Sequence, residues 1–353
     1  MKIIIIILAI IGVLSTLIPF SSSDVWWVRM FDFPGVQVSV ILGLSLLGFI
    51  CFYDQLVFFE KILALAALLS LIYKSTVIYP YTPLSKTVAF DTKTVDEDNT
   101  IRLLSSNVLM TNREYHLLLS EIHQIDPDIV MLLETDQGWK DRMDTLKQKY
   151  PYAVSQAQDN TYGMLMYSKY KLIDPRIDFL IEKEVPSIDT KVALPSGQII
   201  QLYCIHPTPP SPTENDRSTE RDAELMIVGK KVAKDSLPTI VAGDLNDVAW
   251  SSSTRLFLNV SEMLDPRIGR GFYNTFNAKI FFLRWPLDHF FHSSHFKLKN
   301  LQRLSNIGSD HFPIYIELVY EPIATLLQEA PKVTAEDKRE ADQQIEKAKE
   351  KNK

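Results

Sequence analysis

Cysteine is nearly missing from this chain of 353 residues, which holds only Cys51 and Cys204. Cys51 lies in an apolar run near the N-terminus, and Cys204 lies in a predicted strand far downstream. No disulfide framework is therefore predicted, and the cysteine content gives no information on the cellular compartment. A cluster of cysteines that would hold a soft metal ion is also lacking, so any bound metal is expected to have oxygen ligands.

An excess of basic charge is lacking as well. The formal net charge is −6, and residues 91–321 contain 25 Lys and Arg against 32 Asp and Glu. Proteins that grip long nucleic acids without sequence preference usually present a basic surface. The composition therefore disfavours a processive grip on duplex DNA, although bound metal ions would offset several of the acidic groups.

Three long apolar runs are present at residues 3–20, 36–53 and 56–73, and the first two carry no charged residue. About 20 apolar residues suffice to cross a bilayer as a helix. A cleaved signal peptide is the alternative for the first run, and a buried helix of a soluble domain is the alternative for the third. We favour three retained spans, which make residues 1–75 a membrane anchor of a multi-pass protein.

The orientation of the anchor is predicted from its basic residues. Lys2 and Lys61 fall on one side of three spans, which favours a cytoplasmic N-terminus, whereas Arg29 and Lys74 argue against it. Three crossings from an inside start place everything after about residue 75 outside the cytoplasm. We therefore expect the remainder of the chain to be extracytoplasmic.

The remainder divides into a linker, a folded domain and a tail. Residues 76–100 contain two prolines and a polar run and are predicted to be a linker, and residues 323–353 are predicted to be a solvated helix or a disordered charged tail. In between, the domain at 101–322 begins with a strand, an amphipathic helix and a second strand ending near Glu134. This order predicts a parallel strand pair with a right-handed crossover.

The most informative stretch is the apolar run 237–242, which ends in Gly243-Asp244-Leu245-Asn246. Alternate residues of an extended chain share a face, so Asp244 and Asn246 are able to address one ligand. A carboxylate beside an amide donor suits a phosphate that is being hydrolysed. A strand followed by an Asx-type turn is the alternative for this motif when it is considered alone.

Further polar residues lie at the ends of other strand-like runs. They are Asn107, Glu134, His206, Asp288, Asp310 and His311. Active-site groups of sheet proteins commonly gather at one end of the strands, where the loops converge. We therefore expect these side chains to meet in one site, whereas the neighbouring His289 is interpreted as structural.

Taken together, the polar motifs resemble an established family. They are Ser-Ser-Asn107-Val, Pro-Asp-Ile-Val-Met-Leu-Leu-Glu134, Ile-His206-Pro, Gly-Asp244-Leu-Asn246, Leu-Asp288-His-Phe-Phe and Ser-Asp310-His311-Phe-Pro. In this order they resemble the motifs of the endonuclease/exonuclease/phosphatase superfamily, the DNase I-like phosphoesterases, over about residues 100–320. The resemblance implies an α/β (α+β) protein with a four-layer αββα sandwich, here preceded by N-terminal transmembrane helices.

The resemblance also implies a metal site. Glu134 is expected to be the principal ligand of a hard divalent cation, Mg²⁺ or alternatively Mn²⁺. Asn107 is expected to support that site and to touch the phosphate. Asp288 and Asp310 complete the acidic cluster around the ion.

Catalytic roles are implied for a second set of residues. Asp244 is expected to orient or deprotonate the attacking water, and Asn246 to donate a hydrogen bond to the phosphoryl group. His206 is expected to donate to a phosphate oxygen. His311, paired with Asp310, is expected to be the second acid–base group, because a carboxylate partner fixes the tautomer and raises the basicity of an imidazole.

The predicted function is that of a membrane-anchored, divalent-metal-dependent phosphoesterase that hydrolyses phosphodiester bonds in a nuclease-like manner. Its substrate would be nucleic acid or a phospholipid headgroup, and no protein partner is predicted. Arg221, at the start of a predicted helix, is a candidate phosphate-binding residue, with a solvated helix face as the alternative. A lipid or small-molecule phosphodiesterase or phosphatase is the alternative on the same site. An alternative of another class is a non-catalytic envelope binding module, against which the complete polar set argues.

Overall fold

The computed structural model describes residues 1–21 and 23–351. Its helices are α1 (Lys2–Leu17), α2 (Trp26–Arg29), α3 (Gly35–Cys51), α4 (Phe58–Ile78), α5 (Tyr115–Ile125), α6 (Gln137–Met143), α7 (Thr219–Lys234), α8 (Ser252–Ser261) and α9 (Ala335–Lys351). Its strands are β1 (Thr100–Asn107), β2 (Ile129–Leu133), β3 (Tyr152–Gln156), β4 (Met164–Ser168), β5 (Leu172–Asp178), β6 (Ser187–Ala193), β7 (Ile199–Ile205), β8 (Thr239–Asp244), β9 (Asp288–His292), β10 (Phe296–Arg303) and β11 (Ile314–Tyr320).

Helices α1, α3 and α4 pack against one another as an N-terminal bundle. Ala9, Leu42 and Ala67 are fully buried inside it, whereas Leu47 and Leu65 on its outer surface are 60% and 57% exposed. Small residues at helix contacts allow close approach, which is how helices pack when lipid surrounds them. The bundle thus has small residues in its interior and an apolar outer surface.

Two segments of the bundle are long and apolar enough to cross a membrane, Lys2–Ser21 with 20 residues and Phe58–Tyr81 with 24. A third is obtained if α3 and the preceding Trp26–Asp32 segment, bent by 69° between them, count as one span. The helices coincide with the three predicted runs. α4 continues to Ile78, beyond the predicted end at 73, because the first strong helix breaker is Pro80.

The two ends of the bundle differ. At one end, the Lys2 ammonium lies 2.8 Å from the Glu60 carboxylate, which joins the start of α1 to the start of α4. At the other end, the loop between α1 and α3 contacts the rest of the protein. Asp24 accepts a hydrogen bond from Thr219 Oγ1 at 2.7 Å, and the Asp32 carbonyl accepts one from Trp250 Nε1 at 2.8 Å. The third apolar run is therefore part of the bundle and not a helix of the following domain.

The following domain contains two sheets. The first has the strand order β10-β11-β1-β2-β4-β3, and the second has the order β5-β6-β7-β8-β9. Each contains one parallel pair, β1 with β2 and β7 with β8, and the other neighbours are antiparallel. Helix α5 connects the first parallel pair and α7 connects the second. The predicted parallel arrangement of β1 and β2 is confirmed.

The sheets face each other across an apolar core that includes Leu103, Met131, Ile240 and Phe290. α5 and α6 cover the outer face of the first sheet. α7, α8 and α9 cover the outer face of the second. This confirms the predicted four-layer αββα sandwich, in which both faces of each sheet are buried and the strands are accordingly rich in consecutive apolar residues.

Two segments pack more closely than their composition indicates. The predicted linker 76–100 lies along the sandwich: Tyr81 Oη donates to the Ala249 carbonyl at 2.6 Å, and Ala89 is fully buried. The predicted solvated tail contains α9, which buries Ala341 and Ile345 against α7 and α8; the last two tail residues lie outside the described part of the chain. Its apolar stripe is narrow and surrounded by charges, so the sequence pattern alone did not reveal a buried face.

Candidate active site

The parallel pairs of the two sheets bring four polar residues to one edge of the sandwich. Asn107 ends β1 and Glu134 directly follows β2, while His206 directly follows β7 and Asp244 ends β8. Parallel neighbours end at the same edge of a sheet, so each pair delivers two adjacent side chains. Four of the residues predicted from sequence are thus brought together by two strand–helix–strand units.

The backbone at this edge is specialised. Gly243 has φ +142°, and a Cβ at this position would lie 1.9 Å from the carbonyl oxygen of Ile205 on the neighbouring strand. Only glycine fits there, which explains why glycine precedes Asp244. Glu134 and Asn246 both have positive φ, 58° and 50°, which costs a non-glycine residue about 1 kcal/mol or more. These turns aim the two side chains away from their strands and into the site.

Asn107 connects the two sheets. Its Nδ2 donates to Glu134 Oε1 at 2.7 Å and to Asp244 Oδ2 at 3.1 Å. A carboxamide nitrogen carries two hydrogens, so both bonds are made at once. The backbone carbonyl of Asn107 accepts a hydrogen bond from Ser309 Oγ at 2.9 Å, which connects the loop before β11 to the site.

His311 lies between two carboxylates, and neither of them belongs to Asp310. Its Nδ1 is 2.7 Å from Asp288 Oδ2, and its Nε2 is 3.6 Å from Asp244 Oδ2. The predicted pairing of His311 with Asp310 is therefore wrong, because adjacent residues of an extended chain point in opposite directions. Asp288 takes that position since it begins β9 directly opposite Asp244 on β8.

The charges around His311 favour the protonated form of its ring. Burial by itself lowers the pKa of His311, but the carboxylates of Asp288 and Asp244 outweigh it and raise the pKa to about 10. Burial raises the pKa of Asp244, and the positive charge of His311 opposes that increase. Asp244 and His311 are thus a buried acid–base pair in which each stabilises the charged form of the other.

His206 differs from His311 in its electrostatics. Burial lowers the pKa of His206 to about 4, so the ring is neutral at neutral pH. Its Nε2 lies 3.9 Å from Asp244 Oδ2, and its Nδ1 has no hydrogen-bond partner among the described residues. The Tyr162 ring packs against it with centroids 5.3 Å apart. A neutral imidazole of this kind donates one hydrogen bond without adding a charge.

Two groups of residues are possible metal ligands. The donor atoms of Asp244, Asp288 and His311 all lie within 4.8 Å of one another. In this group Nδ1 of His311 is held by Asp288, which leaves only Nε2 of the ring for an ion. The second group is Glu134 with Asp310, whose charge adds to the raised pKa of Glu134.

The electrostatics of Glu134 fit a hard cation. Burial raises the pKa of Glu134 to about 7, the nearby carboxylates of Asp244 and Asp310 add to the increase, and the Asn107 hydrogen bond opposes it. Its hydrogen-bond donors are Asn107 Nδ2 and the Met110 amide, and within the described chain no Lys or Arg forms an ion pair with it. Carboxylate and amide oxygens are the ligands that Mg²⁺ prefers, and a divalent cation would relieve the crowding of negative charge.

Two predicted site residues have other roles in the structure. Asn246 Nδ2 donates to the Pro207 carbonyl at 3.0 Å, which leaves one amide hydrogen for a ligand. Arg221 is only 1% exposed: it pairs with Asp222 and Asp247 and donates to the Asn246 carbonyl at 2.9 Å. The assignment of Arg221 to substrate binding is therefore wrong, because two buried carboxylates neutralise it and its guanidinium holds the Asn246 loop instead.

His289 lies outside the group of reacting residues, whereas Phe276 forms a wall of the site. His289 is buried, with its Nε2 at 2.9 Å from the Asp247 carbonyl and its Nδ1 against Arg267, so it is structural as expected. Phe276 pairs with His311 through its backbone and packs on the ring with centroids 4.9 Å apart. Phe276 and Tyr162 are not predicted as site residues from the sequence, because single aromatic residues in loops carry no periodic signal.

A cavity of about 500 Å³ is lined in part by Tyr162, whose ring packs on His206. Its lining also includes Asn160, Glu182, Lys183, Glu184 and Thr208. Glu182 accepts a hydrogen bond from Thr208, which keeps that carboxylate at the cavity wall. The charged side chains of the wall are thus two carboxylates and one ammonium group.

Comparison with known proteins agrees with the sequence motifs. The model of the Endonuclease/Exonuclease/phosphatase family matches residues 104–311, which is more than half of the chain. A comparison with curated protein sequences finds no match.

Several solved structures have a similar fold. The D. rerio TDP2 structure complexed with a single strand DNA product has a TM-score of 0.52 and 18% identity, and the match covers 62% of this chain and 98% of that one. The human Nocturnin catalytic domain with bound sulfate has a TM-score of 0.52 and 18% identity, with 68% and 99% covered. An endonuclease/exonuclease/phosphatase from Bacteroides vulgatus has a TM-score of 0.52 and 17% identity, with 63% and 99% covered. At this level of identity the matches establish the fold alone.

Proposed function

Because the chain belongs to the Endonuclease/Exonuclease/phosphatase family, whose members are phosphoester hydrolases, we propose that it is a membrane-anchored phosphoesterase that uses a divalent cation to cleave phosphodiester bonds. The observation that carries the proposal is the position of the His311 ring between Asp288 and Asp244, with Asn107 bonding both Asp244 and Glu134. This set brings a base, an acid and a cation ligand together through hydrogen bonds and through the 3.6 Å ion pair of Asp244 and His311.

The proposed reaction is an attack of water on phosphorus. A bond forms between the water oxygen and phosphorus, and the bond between phosphorus and the leaving oxygen breaks. Asp244 takes a proton from the water, and the protonated His311 gives a proton to the leaving oxygen. The 3.6 Å approach of Asp244 Oδ2 to His311 Nε2 then allows the proton to return to the ring. His206 and Asn246 are positioned to donate hydrogen bonds to phosphoryl oxygens.

Glu134 and Asp310 would hold the cation, for which we propose Mg²⁺, with Mn²⁺ as a substitute. Asn107 would support the site by holding Glu134, because its Nδ2 donates to Glu134 while its Oδ1 accepts from the Leu109 amide. When bound, the ion supplies positive charge to the phosphoryl oxygens. Zn²⁺ is not expected, because the proposed donors are oxygens and Zn²⁺ sites usually include Cys or His.

The substrate is proposed to be a phosphodiester of nucleic acid or of a phospholipid headgroup. The acidic composition of residues 91–321 disfavours a long polyanion, and the cavity wall, with Glu182 and Glu184 against Lys183, has no excess of positive charge to hold one. We accordingly favour the lipid or small-molecule phosphodiester over a nuclease substrate. A non-catalytic binding module remains the alternative of another class, and it is disfavoured because the buried charges of the site are costly to keep without a function.

We propose three spans in residues 1–75 as the anchor and residues 101–322 as the catalytic domain. The 76–100 segment and α9 pack on the sandwich and are best kept in any protein that is tested. The full chain is therefore the appropriate material for enzymology.

The test is hydrolysis by the full-length protein in detergent or vesicles, against single- and double-stranded DNA, RNA, sphingomyelin, phosphatidylinositides and an aryl phosphodiester. We expect Mg²⁺-dependent hydrolysis of at least one substrate. His311→Ala and Asp244→Asn should each lower kcat by at least about 100-fold, because acid–base groups supply rate factors of this size. His116→Ala and Asp159→Asn, both exposed, are the matched controls. Full activity in excess chelator would refute the metal assignment, and inactivity on the whole panel would favour the binding module.

A further inference from the structure

The segment between Phe276 and Trp285 has an unusual tip. Ile280, Phe281, Phe282 and Leu283 are consecutive and are 38%, 80%, 71% and 36% exposed. We call these four residues the apolar tip. A contiguous exposed apolar patch on a folded domain usually marks a contact with a protein or a membrane.

The apolar tip lies beside the bundle at its domain end. The Phe282 carbonyl accepts a hydrogen bond at 3.0 Å from Nε2 of Gln37, which is in the first turn of α3. Trp285 packs edge-on against Phe33, with ring centroids 5.7 Å apart. The apolar tip is therefore at the depth at which α3 begins, where a spanning helix meets the headgroups.

The surface around this depth is apolar and aromatic as well. Trp27 in α2 and Met30 directly after it are 49% and 51% exposed, and Val40 on α3 is 56% exposed. Lys279 and Arg284 flank the apolar tip, and basic residues next to an apolar patch favour anionic lipid headgroups. The apolar tip thus adjoins the bundle through Gln37 and Phe33, and the outer surface of the bundle is apolar too, which favours a bilayer over a protein as its partner.

The same segment forms a wall of the candidate active site. Phe276 packs on the His311 ring, and the Ala278 amide donates to the Asp310 carbonyl at 2.6 Å. The five steps along the chain from Phe276 to Phe281 span at most about 18 Å. A bilayer in contact with the apolar tip therefore lies within about 18 Å of the Phe276 backbone, next to the His311 ring.

From this arrangement we propose that the apolar tip is a second membrane contact, and that the substrate is a phosphodiester borne by a membrane lipid. This inference rests on the proposed phosphoesterase function. Water would attack the phosphorus of the lipid headgroup, the bond from phosphorus to the leaving oxygen would break, and the leaving oxygen would take a proton from His311.

The membrane contact is tested without reference to activity. Full-length protein with Cys51→Ser and Phe282→Cys is spin-labelled in vesicles of phosphatidylethanolamine and phosphatidylglycerol, and Cys204 is buried and does not compete for the label. Ser196→Cys is the control, because Ser196 lies on an exposed turn before β7, at the end of that strand opposite His206. The label at 282 should be more accessible to oxygen and less accessible to a water-soluble nickel chelate than the label at 196. Equal accessibility at the two positions overturns the membrane contact.

The substrate class is tested with the double variant Phe281→Ser, Phe282→Ser in the same vesicles. We expect hydrolysis of the lipid phosphodiester to fall by at least about 10-fold, because two exposed aromatic anchors are removed from the membrane. Hydrolysis of a soluble aryl phosphodiester should be unchanged. Phe179→Ser, another exposed phenylalanine, is the matched control and should affect neither substrate.

Two results contradict the substrate class. Equal losses on both substrates would mean that the change damages the site wall, and no loss on the lipid would mean that the apolar tip does not present the substrate. If wild-type protein hydrolyses nothing, the proposed function fails together with the substrate class. The spin-label measurement then still decides separately whether the apolar tip contacts the membrane.

Discussion

At the His311 ring, a single hydrogen bond decides which nitrogen faces the substrate. Asp288 Oδ2 holds Nδ1 at 2.7 Å, so the proton on that nitrogen is fixed and Nε2 is directed at Asp244. A carboxylate in this position stabilises the imidazolium and its orientation. Asp310, by contrast, is half-buried. Its Oδ1 accepts a hydrogen bond from Ser309 Oγ at 3.4 Å, and its negative charge raises the pKa of Glu134.

This geometry predicts different behaviour for the two aspartates. Asp288→Asn should lower kcat, and Asp288→Asn combined with His311→Ala should be little worse than His311→Ala alone, because groups that act as a unit are strongly non-additive. Asp310→Asn combined with His311→Ala should instead multiply the two losses. A double-mutant cycle in kcat measures both. The assignment of Asp288 to His311 fails if its losses multiply too.

The negative charge of Glu134 leads to a prediction about the Mg²⁺ dependence of the activity. Glu134→Gln keeps the shape of the side chain but removes its charge, so the Mg²⁺ concentration for half-maximal activity should rise by at least about 10-fold. Titration of Mg²⁺ with the full-length protein measures this. Glu114→Gln, on an exposed carboxylate, is the control. An unchanged Mg²⁺ requirement in Glu134→Gln would move the cation to the cluster of Asp244, Asp288 and His311.

At the scale of elements, α7 carries an acidic side chain in an apolar position. Glu224 is 2% exposed, and its Oε1 has no hydrogen-bond partner within the described residues. Burial raises the pKa of Glu224 to about 8, and the Glu182 carboxylate adds to the effect. The raised pKa means that the folded protein binds this proton more tightly than the unfolded chain does.

The stability of the sandwich should therefore depend on pH through Glu224. Since its pKa is higher in the folded state, stability is lost as the pH rises from about 4.5 to 8 and stays low above that. Glu224→Gln should raise the melting temperature at pH 8.5 and change it little at pH 5. Thermal unfolding of the full chain at both pH values measures this, with the exposed Glu346→Gln as the control. An equal shift at both pH values would show that the proton is not involved.

At the scale of the whole molecule, the bundle and the sandwich are joined through the loop before α3. Asp24 pairs with Arg217 of the sandwich and with Lys347 of α9. The sandwich therefore lies at the end of the bundle opposite the Lys2–Glu60 pair. An odd number of spans puts the N-terminus and the sandwich on opposite sides of the membrane.

With the N-terminus inside, the sandwich is predicted to lie outside the cytoplasm. A reporter that is active only after export should therefore be active when it is fused to the C-terminus of the full chain. The same reporter fused after residue 56, between α3 and α4, should be inactive. The opposite pair of results would reverse the orientation, and activity in both fusions would change the number of spans.

The sequence by itself determined whatever depends on neighbours along the chain. The three apolar runs, the parallel pair of β1 and β2, and the places of Asn107, Glu134 and Asp244 at strand ends all follow from local periodicity and composition. The four-layer sandwich followed from the order of the motifs, through resemblance to a family.

Tertiary structure alone decided which of these groups touch. His311 pairs with Asp288 instead of its neighbour Asp310 because β9 pairs with β8, and that pairing is a property of the sheet and not of either segment. Arg221 is buried because the fold places the carboxylates of Asp222 and Asp247 within 2.9 and 3.1 Å of its guanidinium group. The linker and α9 pack because the sandwich offers complementary surface to apolar stripes too narrow to be recognised in isolation. Local sequence patterns show which face of a helix or strand is apolar. Contacts between segments that are distant in the sequence depend on how all the elements pack together in the core.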